Sequence, residues 1–128
     1  MSAPGVRAAI PILRSFDEAI MRACYLDWLG FAMDWEHRFE PDLPLYCQVS
    51  RDDCTLHLSE HHGDGTPGTA LWIPVADVRS LHAELNAHPR RMTRPGLELD
   101  GPGGPTVTVL DPFGNTLRFA QPSETPPS

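Results

Sequence analysis

The sequence predicts an α+β fold: two tandem βαβββ modules forming a curved mixed sheet with helices on its outer face. Three observations predict it. The order strand, helix, strand, strand, strand occurs twice; a glycine- and proline-rich loop, "HHGDGTPG", separates the two runs; and apolar residues recur between them at one fixed spacing. Ile10 with Leu71, Ile12 with Ile73, Ile20 with Leu81 and Leu56 with Leu117 each lie 61 positions apart. One offset running through strand, helix and last strand marks a duplicated unit. The unit is a single domain, 1–122, with modules at about 7–60 and 69–121; a tail, 123–128, has nothing to pack and is expected to be disordered.

Each element has its own signal. "RAAIPIL" is a short alternating strand, and Pro11 within it suits an edge. Ser15 offers a helix N-cap with Glu18 three residues on, a capping-box pattern. The helix "FDEAIMRACYLDWL" presents Phe16, Ala19, Ile20, Ala23, Tyr25, Leu26 and Leu29 near helical spacing, and Gly30 ends it. Three strands follow, "FAMDWEHRF", "LYCQVSR" and "CTLHLS", the last two joined by a tight turn at "RDD". In the second module "TALWIPV" is a strand, and Asp77 or Ala76 begins the helix "VRSLHAELNAH". "RMTRPGLEL" is a weaker strand broken by Pro95. "PTVTVLD" and "NTLRFA" close a hairpin across "DPFGN".

Composition narrows the function. The net charge is −7 and all 10 basic residues are arginine. Nucleic acid as a partner is disfavoured, because phosphate binding needs a basic footprint. An acidic chain attracts cationic ligands over distance, although acidity also serves solubility alone. No run is apolar enough for a signal peptide or a membrane span, so a cytoplasmic location is expected. Cys24, Cys47 and Cys54 fit no disulfide framework and read as reduced, mostly buried small hydrophobes.

Strand period fixes which side chains share a face. Leu56, Leu58, Leu117 and Phe119 take the helix side. The opposite face then carries Ala9, His57, Ser59, Ala70, Trp72 and Arg118, a candidate groove. The stretch "CTLHLSEHHGDG" gathers three histidines, but His61 and His62 lie past the strand. With Glu60 and Asp64 they make at most an adventitious surface metal patch; solvated loop histidines are the blander reading. His57 and Ser59 share a face without a nucleophile elbow or an oxyanion hole, and no glycine-rich loop between strand and helix could cradle phosphate.

The segments "AIPIL" with Pro11, "YLDWLGF", "RDDCTLHLS", "TALWIPV" with Trp72 and "LDPFGNTLRF" resemble the glyoxalase, bleomycin-resistance and dioxygenase (vicinal-oxygen-chelate) superfamily, above all its bleomycin-resistance binding proteins. The resemblance covers almost the whole chain. Metal-dependent members place ligands at points that map here onto Ala9, His57, Ala70 and Arg118. Two methyl groups and a guanidinium cannot coordinate, so no metal and no cofactor is expected. The resemblance further implies a head-to-tail homodimer whose interfacial grooves sequester a cationic aromatic glycopeptide, with no bond made or broken. It also implies exchange of the first strand between protomers at Pro11.

Under the resemblance the ligand-binding set comprises Asp34, Trp35, Phe39 and Trp72, joined from the groove face by His57, Ser59 and Arg118, with Glu60 and Tyr46 as weaker members. Core or dimer packing is the blander reading of Trp35 and Phe39; a strand histidine satisfied by its neighbour is that of His57. One departure stands out. Where the family often has a tryptophan in "P-W-G", this chain has Pro102-Gly103-Gly104. Two other functions stay open: a metal-dependent lyase, isomerase or dioxygenase of the same fold, and a non-catalytic binder of another metabolite.

Overall fold

The computed structural model describes residues 3–122; the tail expected to be disordered, 123–128, lies outside them. Each module supplies its own four-stranded mixed sheet. The first contains β1 (Ile12–Arg14), β2 (Ala32–His37), β3 (Tyr46–Arg51) and β4 (Cys54–Ser59), in the order β1-β4-β3-β2. The second contains β5 (Ala70–Pro74), β6 (Leu97–Glu98), β7 (Thr106–Leu110) and β8 (Thr116–Ala120), in the order β5-β8-β7-β6. In both, the first strand runs parallel to the last and all other pairs are antiparallel. The tandem βαβββ architecture read from the sequence is therefore present.

The helices differ from expectation in instructive ways. Asp17, not Ser15, caps α1 (Glu18–Met21), its Oδ1 accepting from the Ile20 N–H at 3.0 Å. Ser15 instead prolongs the β1–β4 ladder, its N–H donating to the Ser59 carbonyl. α1 passes directly into a π-helical segment, Arg22–Trp28, which closes with Leu29 N–H on the Cys24 carbonyl. Widening a helix rotates its faces. The buried residues are accordingly Met21, Cys24, Tyr25, Trp28 and Leu29, while Phe16 and Ile20, expected inside, stay exposed. α2 (Val78–Ala87) follows the sequence reading, with Asp77 accepting from the Ser80 N–H. Among the described residues no helix is long and apolar enough to cross a membrane.

β1 corrects the inferred repeat by one residue. Leu13 pairs with Leu58 and is fully buried, whereas Ile12 pairs with His57 and is 41% exposed; Ile10 is exposed as well. The true counterpart of Ile73, which pairs with Phe119, is thus Leu13 and not Ile12. A slip of one residue exchanges the faces of a strand. Ala9, which lies before β1, lines with Pro11 and Trp72 a cleft of about 790 Å³ between the modules, beside Leu56, Leu71 and the start of α2.

One core, holding Leu13, Trp28, Val49, Leu58, Leu85, Val109, Leu117 and Phe119 among others, serves both modules. Two buried hydrogen bonds cross it. Trp28 Nε1 donates to the Leu85 carbonyl at 3.0 Å, and the Tyr25 hydroxyl donates to Asp111 Oδ2 at 2.6 Å. Burial, then the neighbouring Asp111, pushes the Tyr25 phenol far above its usual range. Burial likewise raises the thiols of Cys24, to about 12, and Cys47, to about 11, leaving both unreactive. Tyr25→Phe removes a donor from a buried carboxylate and should lower the unfolding free energy by about 1.5–3 kcal/mol, measured by urea denaturation near neutral pH.

Candidate functional site

On each sheet the face turned away from the helices is open. In the first module the tight Asp52-Asp53 turn sets β3 against β4 so that Gln48 lies opposite His57, and Tyr46 opposite Ser59. Cys47 and Val49 point into the core. Tyr46, Gln48 and Ser50 consequently stand on the open face beside His57. An irregularity in β2 between Met33 and Trp35 does the rest, because an extra residue allows neighbours to share a face. Trp35 lies opposite Gln48, and Asp34 reaches the same side, accepting from Gln48 Nε2 at 3.0 Å and Ser50 Oγ at 2.9 Å. These two donors, Gln48 first, hold the Asp34 carboxyl below its ordinary value.

The aromatic groups form one cluster. The Trp35 and Tyr46 rings are stacked, 5.9 Å apart and 9° from parallel. The His57 ring meets each of them edge-on at 5.2 Å. Both imidazole nitrogens are engaged: Nδ1 lies 2.7 Å from the Tyr46 hydroxyl and Nε2 lies 3.0 Å from Gln48 Oε1. Burial lowers the basicity of His57, and burial also raises the Tyr46 phenol.

The other expected residues fall in different places. Ser59 is fully buried; its hydroxyl donates to Asp64 Oδ2 and accepts from the His61 N–H, so it latches the following loop. Phe39 lies past the end of β2, 73% exposed, with its ring edge-on to His37 and His61 at the rim. Glu60 is half-buried, with Oε2 lacking any hydrogen bond, and burial raises its carboxyl against the opposing effect of Arg38. Arg14 donates to the His61 carbonyl, pinning the loop over β1. Among the described residues no three His, Cys, Asp or Glu side chains converge.

On the second module's open face Trp72 lies opposite Arg118, and Arg118 opposite Thr108. Trp72 is 49% exposed, and Arg118 is free of ion pairs among the described residues. The Gly103 backbone rests on the indole edge: a side chain there would begin 3.2 Å from Trp72 Cζ2, and its φ of +87° already favours glycine. The residue missing from the family's tryptophan position is thus one for which Trp72, as placed, leaves little room. Ala70 lies opposite Thr116 and offers no donor atom.

Sequence reasoning overlooked Gln48 and Ser50. The signal was available: a two-residue turn after Arg51 fixes the register, and alternation with Cys47 and Val49 fixes the face.

Residues 3–125 match the family model described as glyoxalase superfamily protein. Among solved structures, the chain is similar to the bleomycin-binding protein of bleomycin-producing Streptomyces verticillus complexed with copper(II)-bleomycin: 28% identity over 94% of this chain and 100% of that one, TM-score 0.70. It shares the fold of a bleomycin resistance determinant encoded on transposon Tn5, at 23% identity over 92% and 99% of the two chains, TM-score 0.68. The same holds for an antibiotic binding protein from Streptomyces sp. CB03234, at 18% identity over 91% and 98%, TM-score 0.65. No curated protein matches the chain.

The lowered basicity of His57 has a measurable sign. Its titration by NMR should have a midpoint below the ordinary 6.5. An unfolded chain then takes up a proton here before the folded one does, so this residue's contribution is complete above 6.5 and is lost as pH falls through the folded value. His57→Gln should flatten that part of the stability profile.

Proposed function

Given that the chain belongs to the glyoxalase superfamily, we propose that it is a small-molecule binding protein that sequesters a bleomycin-type cationic aromatic antibiotic in grooves at a homodimer interface, in the cytoplasm and without chemical change. The observation that carries this reading is the stacked Trp35–Tyr46 pair standing beside a carboxylate, Asp34, whose charge two donors stabilise. Planar rings gain roughly 1 kcal/mol per well-placed aromatic contact, and a carboxylate beside them selects a cationic partner. The net charge of −7 favours capture of a cation and disfavours nucleic acid. One protein of this fold is named for binding bleomycin and another for binding an antibiotic.

A dimer completes the groove. In one chain both faces are open, with Ile12, Trp35, Trp72 and Leu110 exposed on them. Face one brings the acidic aromatic platform and face two brings Trp72 and Arg118, so a head-to-tail pair would enclose a ligand between unlike walls. Residues 3–10 are exposed and belong to no strand, which suits exchange of the first strand at Pro11.

The residues do not fit the metal chemistry of other superfamily members. His57 and Arg118 occupy equivalent strand positions, with Ile12 and Trp72 opposite them. Of these only His57 could coordinate, and both of its nitrogens are already hydrogen-bonded.

Titration with bleomycin should quench tryptophan fluorescence at micromolar drug, and Trp72→Ala should weaken binding by about 5- to 10-fold. Absence of quenching sinks the antibiotic reading. Stoichiometric nickel, zinc, manganese or iron in protein purified without a histidine tag would favour an enzyme instead. Sedimentation velocity should show a two-chain species.

A further inference from the structure

We infer that Gln48 is a positioning residue: its side-chain amide, tied between Asp34 and His57, fixes the tautomer of His57 and the direction of the Tyr46 hydroxyl, and so turns the lone pairs of that phenol, beside the Asp34 carboxylate, toward the open face of the first module.

The chain of deduction starts at Asp34. An ionised carboxylate only accepts hydrogen bonds, so the end of the Gln48 amide 3.0 Å from Asp34 Oδ2 is the NH2 group. A flipped amide would set its oxygen against the carboxylate. The other end, 3.0 Å from His57 Nε2, is therefore the oxygen, which has no proton to give. The imidazole must supply it, so Nε2 carries the hydrogen. A neutral ring then has a lone pair on Nδ1, and the Tyr46 hydroxyl 2.7 Å away donates into it. With its proton turned inward, the phenol leaves only oxygen lone pairs for a guest. Ser50 spends its hydroxyl proton on Asp34 Oδ1.

Beside the stacked rings a guest meets the Asp34 oxygens, the Tyr46 oxygen, the second N–H of the Gln48 amide and the Trp35 indole N–H; the one charge among these is the Asp34 carboxylate. Such a face takes planar groups that carry several N–H donors, such as an amidinium or guanidinium on an aromatic ring. It disfavours planar carboxylates of the same shape, which meet the like charge of Asp34. This consequence for ligand class rests on the binding reading above. The tautomer assignment stands on the hydrogen bonds alone.

Long-range proton–nitrogen NMR on uniformly labelled full-length protein reads the tautomer directly. The wild type should show His57 protonated at Nε2 and bare at Nδ1. Asp34→Asn changes an exposed side chain that His57 does not hydrogen-bond, yet it should move the spectrum toward a mixture, because an asparagine amide accommodates either orientation of Gln48. Gln48→Leu should do the same by cutting the tie. A wild-type ring protonated at Nδ1, or a spectrum unmoved by both substitutions, overturns the inference. Calorimetry with 2-naphthamidinium and 2-naphthoate then reads the ligand consequence. The wild type should prefer the amidinium by ~10-fold or more, and Gln48→Leu, which keeps the Asp34 charge, should narrow that ratio. If the tautomer is as assigned but neither probe binds, the binding reading fails and the positioning role of Gln48 stands.

Discussion

Asp111, in the turn between β7 and β8, is buried with both oxygens occupied: Oδ1 accepts from the N–H groups of Phe113 and Asn115, and Oδ2 from the Asn115 amide and the Tyr25 hydroxyl. Burying a carboxylate costs several kcal/mol unless donors replace its lost water, and here four do. One of them comes from the other module. Local N–H groups close the turn, and Tyr25 supplies the remaining donor, which it can do only while the π-helical segment lies against the second module. Asn115 extends the clamp by donating to the Arg14 carbonyl at the end of β1. The arrangement of the modules follows from satisfying this one group.

That constraint also shapes the functional surface. The first helical region is spent on joining the modules, through Tyr25 to Asp111 and through Trp28 to Leu85. Among the described residues nothing is left to cover the sheet faces on the far side. Two exposed tryptophans, Trp35 and Trp72, stand there on rigid strands, a position where large apolar groups call for a partner or a guest. The polar atoms around Trp35 are mutually satisfied, so the platform is pre-organised and loses little freedom when something stacks on it.

Much of this is legible in the sequence, and the exceptions have physical causes. Alternation placed Leu56, Leu58, Leu117 and Phe119 inside and His57, Trp72 and Arg118 on the open faces, because both modules bury one face of each sheet. β1 was misread by one residue because "AAIPIL" is apolar on both faces, and period two carries no information where both parities look alike. The buried stripe of the first helix was misread because a π-helical segment breaks the 3.6-residue count. Parity sets Ser59 beside His57 on the open face; the loop that folds over it, latched by Asp64 and by the His61 N–H, leaves no trace in a strand pattern. Asp34 and Trp35, adjacent in sequence, reach one face through a strand irregularity that alternation would forbid.

The central claim is that unlike open faces from two copies enclose a cationic aromatic guest and hold it unchanged. Native mass spectrometry of the chain incubated with bleomycin tests this most directly. A two-chain species carrying drug of unaltered mass is expected. Single chains without drug, or drug released with a changed mass, would contradict it.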